Sequence, residues 1–239
     1  MSLVVFQHVT IETPSRLGNV LRDHGHELRV INFEQGDTVP VDLDNVDGLV
    51  IMGGPQNVDE VDQHAWMQPE MDFIKRAHDA GLPIVGVCLG AQLIAKSLGG
   101  DVAPMDMPEV GWQNVKLAFP GTIDPIYIGI TWDSMQFHLH GQQVTELPPG
   151  ATPLAGSKAC RTQAFKVGFR TYAFQYHFEW NEQDIRQFVK DELVTRAGAN
   201  PDEITRGLED HYDTYARRGE RLCNNIASLL MPLDKRKTA

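Results

Sequence analysis

The chain has 239 residues, 42% of them hydrophobic, which is enough core for one α/β domain with an extension. Lys and Arg number 21 against 32 Asp and Glu, and the resulting net charge of −11 repels phosphate backbones and disfavours nucleic-acid binding. No apolar run approaches the ~20 residues of a membrane helix, and Cys88, Cys160 and Cys223 form neither a disulfide framework nor a Cys-x-x-Cys zinc site, so a cytoplasmic protein is expected.

The N-terminal residues lack the basic flank and cleavage site of a leader and run straight into a strand pattern, Leu3–His8. Further apolar runs of strand length follow at Leu28–Ile31, Gly48–Met52 and Pro83–Val87. Between them lie helix-like stretches, Ser15–His24 and Trp66–Ala80, the second closed by Gly81. This rhythm predicts an α/β fold, a doubly wound and mostly parallel sheet flanked by helices. Ligands bind such sheets beyond the carboxyl ends of the strands, where Gly53 and Cys88 both fall.

The stretch Val85-Gly86-Val87-Cys88-Leu89-Gly90-Ala91-Gln92 carries the most chemistry. A buried strand breaks at a cysteine between two glycines, and a helix-like segment runs from Leu89 to Leu98 until Gly99-Gly100 ends it. Strand, sharp turn with a nucleophile at its tip, then helix is the layout of a nucleophile elbow, with Cys in place of Ser. Gly86 and Gly90 keep the turn uncrowded, and the start of the helix favours a negative sulfur. A buried structural cysteine is the competing reading for Cys88 taken alone.

From Asp101 to Tyr176 the strands lose their intervening helices, and turns such as Pro120-Gly121 and Pro148-Pro149-Gly150 predict added antiparallel strands. A strand-like stretch, Arg170 to Tyr176, leads to His177 and Glu179. Two residues apart on an extended backbone, they point the same way, so the carboxylate can hold one imidazole nitrogen while the other meets a thiol. Beyond Trp180 the chain reads as helical, with Asn200-Pro201-Asp202-Glu203 as a well-capped start. Leu222, Ile226, Leu229 and Leu230 recur at helical spacing and are expected to pack on the core; Asp234–Ala239 is a polar tail expected to fray.

These motifs resemble those of the class I, triad-type glutamine amidotransferases, and among them stand-alone proteins similar to the amidotransferase domain of GMP synthase. The resemblance runs from Leu3 to about Trp180 and rests on four separated segments. Ile51-Met52-Gly53-Gly54-Pro55 resembles the oxyanion loop, and Gly86-Val87-Cys88-Leu89-Gly90-Ala91-Gln92 the nucleophile elbow. Phe137-His138-Leu139-His140-Gly141 resembles the substrate loop, and Gln175-Tyr176-His177-Phe178-Glu179 the strand of the base. The family usually has Pro where Phe178 stands and commonly Asp where Gln142 stands; neither change removes a catalytic atom.

The resemblance implies a domain over residues 1–180 with a helical extension, 181–239, packed on it. It implies Cys88, His177 and Glu179 as the triad, and the N–H groups of Leu89 and Gly54 as the oxyanion hole. Gly53, Gln92, His140, Gly141 and Gln142 are implied as substrate contacts, with no cofactor. His138 and His140 alternate onto one side, which raises the question of a metal. No third ligand stands at a plausible spacing in the sequence, so none is assigned. Glu109-Val110-Gly111-Trp112 resembles a recurrent family segment and is read as structural, while His8, His24, His26, His64, His78 and His211 are read as surface or core fillers.

The implied activity is hydrolysis of the glutamine γ-amide through a Cys88 thioester, releasing ammonia to an unknown acceptor. A separate synthetase subunit is the partner this suggests. A γ-glutamyl peptidase or hydrolase using the same triad is the alternative, and a non-catalytic regulatory binding protein on this fold a second one.

Overall fold

The computed structural model of the chain describes residues 2–190, 194–195 and 198–233. Its centre is a nine-stranded sheet in the order β2-β1-β3-β4-β9-β8-β7-β5-β6. Four strands match the apolar runs: β1 (Ser2–Gln7), β2 (Glu27–Asn32), β3 (Gly48–Ile51) and β4 (Ile84–Val87). They pair in parallel, and β9 (Thr171–Phe174) joins β4 in the same sense. The remaining four, β5 (Asp101–Leu117), β6 (Asp133–Glu146), β7 (Ala151–Gly156) and β8 (Ala164–Val167), extend the sheet with antiparallel pairs. This is the predicted doubly wound α/β fold with added antiparallel strands.

Alternation along the strands divides the core in two, because successive side chains of a strand face opposite sides of the sheet. Leu3, Val5, Val85 and Val87 face one side, where α1 (Ser15–Asp23) and the long C-terminal helix cover them. Val4, Phe6, Ile51 and Ile84 face the other, against α2 (Met67–Asp79) and α3 (Leu89–Ser97). Each fully buried Leu or Phe of these layers contributes roughly 1.5–3 kcal/mol. A short helix, α4 (Phe119–Ile123), follows β5.

Past β9 come α5 (Glu182–Phe188), whose Asn181 and Asp184 form a reciprocal capping box, and α6 (Pro201–Asn225). Asn200 caps α6 by accepting from the Asp202 N–H, with Pro201 in the first turn, as the sequence predicts. A third apolar cluster joins α6 to the β5–β6 ribbon through Phe137, Trp180, Phe188, Leu208 and Tyr215. Close contact fixes this junction: a β-carbon on Gly207 would lie 2.2 Å from the Trp112 ring, whose indole N–H donates to the Ile204 carbonyl at 3.0 Å.

Leu222, Ile226 and Leu230 are buried as expected, but Leu229 is half exposed. Residues Ile226–Leu230 form a wider, π-type turn, so the 3.6-residue spacing that would have turned Leu229 inward does not hold there. The expected fraying of the tail concerns residues outside those described. Among the described residues no helix is long and apolar enough to cross a membrane.

Candidate active site

Strand β4 ends at Cys88, whose φ of 52° and ψ of −110° are costly for a residue with a β-carbon. The surroundings hold it there. Its N–H donates to the Phe174 carbonyl at 2.8 Å, and its carbonyl accepts from the N–H groups of Ala91 and Gln92. The flanking glycines are a steric requirement: a β-carbon on Gly86 would come within 2.6 Å of the Gly90 carbonyl oxygen, and one on Gly90 within 2.2 Å of that of Ile51. Cys88 is thereby set at the N-cap of α3, its Sγ 3.5 Å from the Leu139 carbonyl.

His177 leaves β9 and crosses to β6, its N–H donating to the Phe137 carbonyl at 2.8 Å. Its Nδ1 donates to Glu179 Oε1 at 2.8 Å, and the Trp180 ring stacks on the imidazole with centroids 3.9 Å apart. Burial alone would lower the histidine pKa, but Glu179 and the nearby Cys88 sulfur raise it well above the ordinary value of 6.5. The second nitrogen, Nε2, is buried without a hydrogen-bond partner among the described residues. Phe178, between base and carboxylate, points away and packs edge-on against Phe174, while its carbonyl accepts from Arg16. The aromatic ring and the Arg16 bond hold the backbone where the family usually has proline.

The loop after β3 closes the other side. Gly54 approaches the elbow so nearly that an added β-carbon would lie 3.0 Å from Leu89 Cδ2. Gly54, Cys88, Leu89, Gln92, His140, Gly141 and Gln142 all line one cavity of about 350 Å³. Gly53 stands behind the wall, with the Glu12 carboxylate packed over its α-carbon and its carbonyl accepting from His8 Nδ1 at 2.9 Å. His8 is no filler. Its Nε2 reaches Glu70 at 3.1 Å, both side chains are fully buried, and both ring nitrogens face oxygen atoms. Burial lowers the His8 pKa, but Glu70 outweighs it and the net direction is upward. Sequence gives no signal for this pair, whose members stand 62 residues apart.

Gln92 and the β6 loop are brought together by hydrogen bonds. Gln92 Nε2 donates to the Gln142 carbonyl and to Gln175 Oε1, both at 3.2 Å. The Gln142 side chain donates to Asp59 at 3.0 Å. The amide of Gln92 therefore braces the loop. Glu109, read from sequence as part of a structural segment, pairs across the ribbon with His140, their Oε2 and Nε2 3.1 Å apart. It supplies the third potential ligand that sequence spacing did not reveal beside His138 and His140. Burial would raise the Glu109 pKa, but the two histidines and the Ser157 hydroxyl bring it below the ordinary value. Burial and the neighbouring His140 push His138 down to about 3.

The cysteine elbow and the glycine loop line one cavity, and the buried His177–Glu179 pair lies beside the cysteine. The chain belongs to the class-I glutamine amidotransferase family: residues 14–195 match the profile described as Glutamine amidotransferase class-I. It is 26% identical over 228 residues to the glutamine amidotransferase-like protein YfeJ of Salmonella typhimurium, covering 94% of this chain and 95% of that protein. It is 32% identical over 165 residues to one subunit of the glutamine-hydrolyzing GMP synthase of Thermoplasma acidophilum, covering 67% of this chain and 75% of the relative. The crystal structure of a glutamine amidotransferase from Methylobacillus flagellatus superposes with a TM-score of 0.82 at 26% identity, over 94% of this chain and 93% of the other.

Proposed function

We propose that the protein hydrolyses the γ-amide of glutamine through a thioester on Cys88 and delivers ammonia to an acceptor site on a separate chain. The observation that carries this reading is the His177–Glu179 bond, with the remaining His177 nitrogen buried beside the cysteine elbow. With the proton of the Cys88–His177 pair on His177, the Cys88 sulfur attacks the γ-carbon, sending the carbonyl electrons onto oxygen. The N–H groups of Leu89 and Gly54 receive that oxyanion. His177 then protonates the departing nitrogen, which leaves as ammonia, and a thioester remains. Water attacks it, yields a proton to His177 and displaces the sulfur, and glutamate leaves. Glu179 keeps Nδ1 protonated throughout.

On this reading Gln92 and residues His140, Gly141 and Gln142 hold the α-amino and α-carboxyl end of the substrate. The division into a domain over 1–180 and a helical extension fits it, with α6 bracing the ribbon that carries the loop. The relationship to a protein named as one subunit of a GMP synthase supports a two-chain arrangement.

Steady-state turnover of glutamine and of a γ-glutamyl peptide by the purified chain tests the proposal. The expected result is slow ammonia release from glutamine that Cys88→Ala abolishes, together with all covalent labelling by a glutamine-like electrophile. Fast peptide cleavage with negligible glutaminase activity would replace it with the peptidase reading.

A further inference from the structure

Antiparallel pairing of β5 with β6 sets Glu109 opposite His140 and Gly111 opposite His138, so three buried side chains converge beneath the ribbon. His138 Nδ1 and His140 Nε2 are 3.4 Å apart, and Glu109 Oε2 lies 3.1 Å from the second and 3.9 Å from the first. A point equidistant from atoms at these separations lies about 2.0 Å from each, the length of a zinc–nitrogen or zinc–oxygen bond.

Hydrogen bonds from outside fix two of the three groups, while His138 Nε2 has no partner among the described residues. His140 Nδ1 is 3.0 Å from the Gln142 carbonyl, which can only accept, so Nδ1 carries the hydrogen. Nε2 then faces inward, toward Glu109 Oε2 and His138 Nδ1. A backbone carbonyl holding Nδ1–H while Nε2 points inward is the orientation of ligating histidines. Glu109 is fixed in the same way: Oε1 accepts from the Ser157 hydroxyl at 2.7 Å and Oε2 from the Gln163 amide at 2.5 Å.

We propose that Glu109, His138 and His140 form a binding site for a divalent transition metal of the zinc class. Two imidazoles and one carboxylate match the preference of Zn²⁺ and Co²⁺ and not the all-oxygen shells of Mg²⁺ or Ca²⁺. The ion would neutralise the buried Glu109 and tie β5 to β6 immediately before Gly141, on the wall of the cavity. The site does not depend on which γ-glutamyl compound is hydrolysed, or on whether any is.

The full chain carrying Cys88→Ala, which removes the competing thiol, is stripped with chelator and titrated with Zn²⁺, and with Co²⁺ as a visible-absorption probe. One equivalent should bind, and Glu109→Gln or His138→Asn in that background should weaken binding at least about tenfold, whereas His64→Asn should not. Zinc-edge anomalous diffraction from crystals of the Cys88→Ala chain should place the ion between the three side chains, a readout that survives if either ligand variant misfolds. No uptake at micromolar metal, equal uptake by the ligand variants, or an anomalous peak elsewhere alone would overturn the proposal. A cluster closed by a proton on His140 gives the first of these results.

Discussion

At the scale of single residues, His177 and His8 are both buried near the cysteine elbow, and each is held by a carboxylate. For His177 the burial and the carboxylate oppose one another, so Glu179→Gln should remove the raising partner and let burial carry the pKa below its present value. Histidine ¹⁵N shifts followed against pH would read this, and turnover should fall by up to about 10⁴-fold, as in serine proteases lacking their triad aspartate. Turnover within twofold of the parent would remove Glu179 from the mechanism. The elevated His177 pKa also has a stability consequence. Its contribution is complete below the ordinary value of 6.5 and is lost as pH rises through the higher folded-state value. On the proposed mechanism His8 would act through the Gly53 carbonyl that its Nδ1 contacts. His8→Asn should displace the oxyanion loop and lower kcat by on the order of 10–100-fold with little change in KM, measured on glutamine. A KM effect without a kcat effect would mean that the loop serves binding alone.

At the scale of elements, the elbow is a contact between β4 and α3 that leaves no room for a methyl group. Gly90→Ala would press a carbon against the Ile51 carbonyl, and urea denaturation should find a loss of about 3 kcal/mol. Gly141, with nothing within 4 Å of an added β-carbon, should tolerate alanine within about 0.5 kcal/mol in the same experiment. The sheet around β4 was readable because its strands are short apolar runs bounded by helices and glycines, and local composition is enough to mark them. The ribbon was readable only as antiparallel strands. Its register depends on an irregularity between Pro104 and Glu109 that no local pattern encodes, and that register decides that Glu109 meets His140. The His8–Glu70 pair was hidden for the same reason, since one member follows β1 and the other lies in the first turn of α2. Positions at strand ends, such as Gly53 and Cys88, were legible because a parallel sheet gathers its strand termini at one edge.

At the scale of the whole molecule, the three thiols occupy very different surroundings. Burial pushes Cys160 up to about 12 and Cys223 well above its ordinary value, with Glu179 and Glu220 adding to the effect at Cys223. Native protein should therefore take one equivalent of a thiol alkylator, at Cys88, while denatured protein takes up three; peptide mass mapping checks both counts. Modification of Cys160 or Cys223 before Cys88 would mean that the fold opens beneath the sheet. The apolar cluster between ribbon and C-terminal helix has an effect beyond packing, because it contains Trp180, whose ring lies face to face with His177. Protonated imidazole quenches indole emission far more than neutral imidazole does. On the proposed mechanism Trp180 would report optically on the base: each gain or loss of a proton at His177 should dim or brighten Trp180, and stopped-flow fluorescence could follow acylation and deacylation as they happen, with no dye and no labelled substrate.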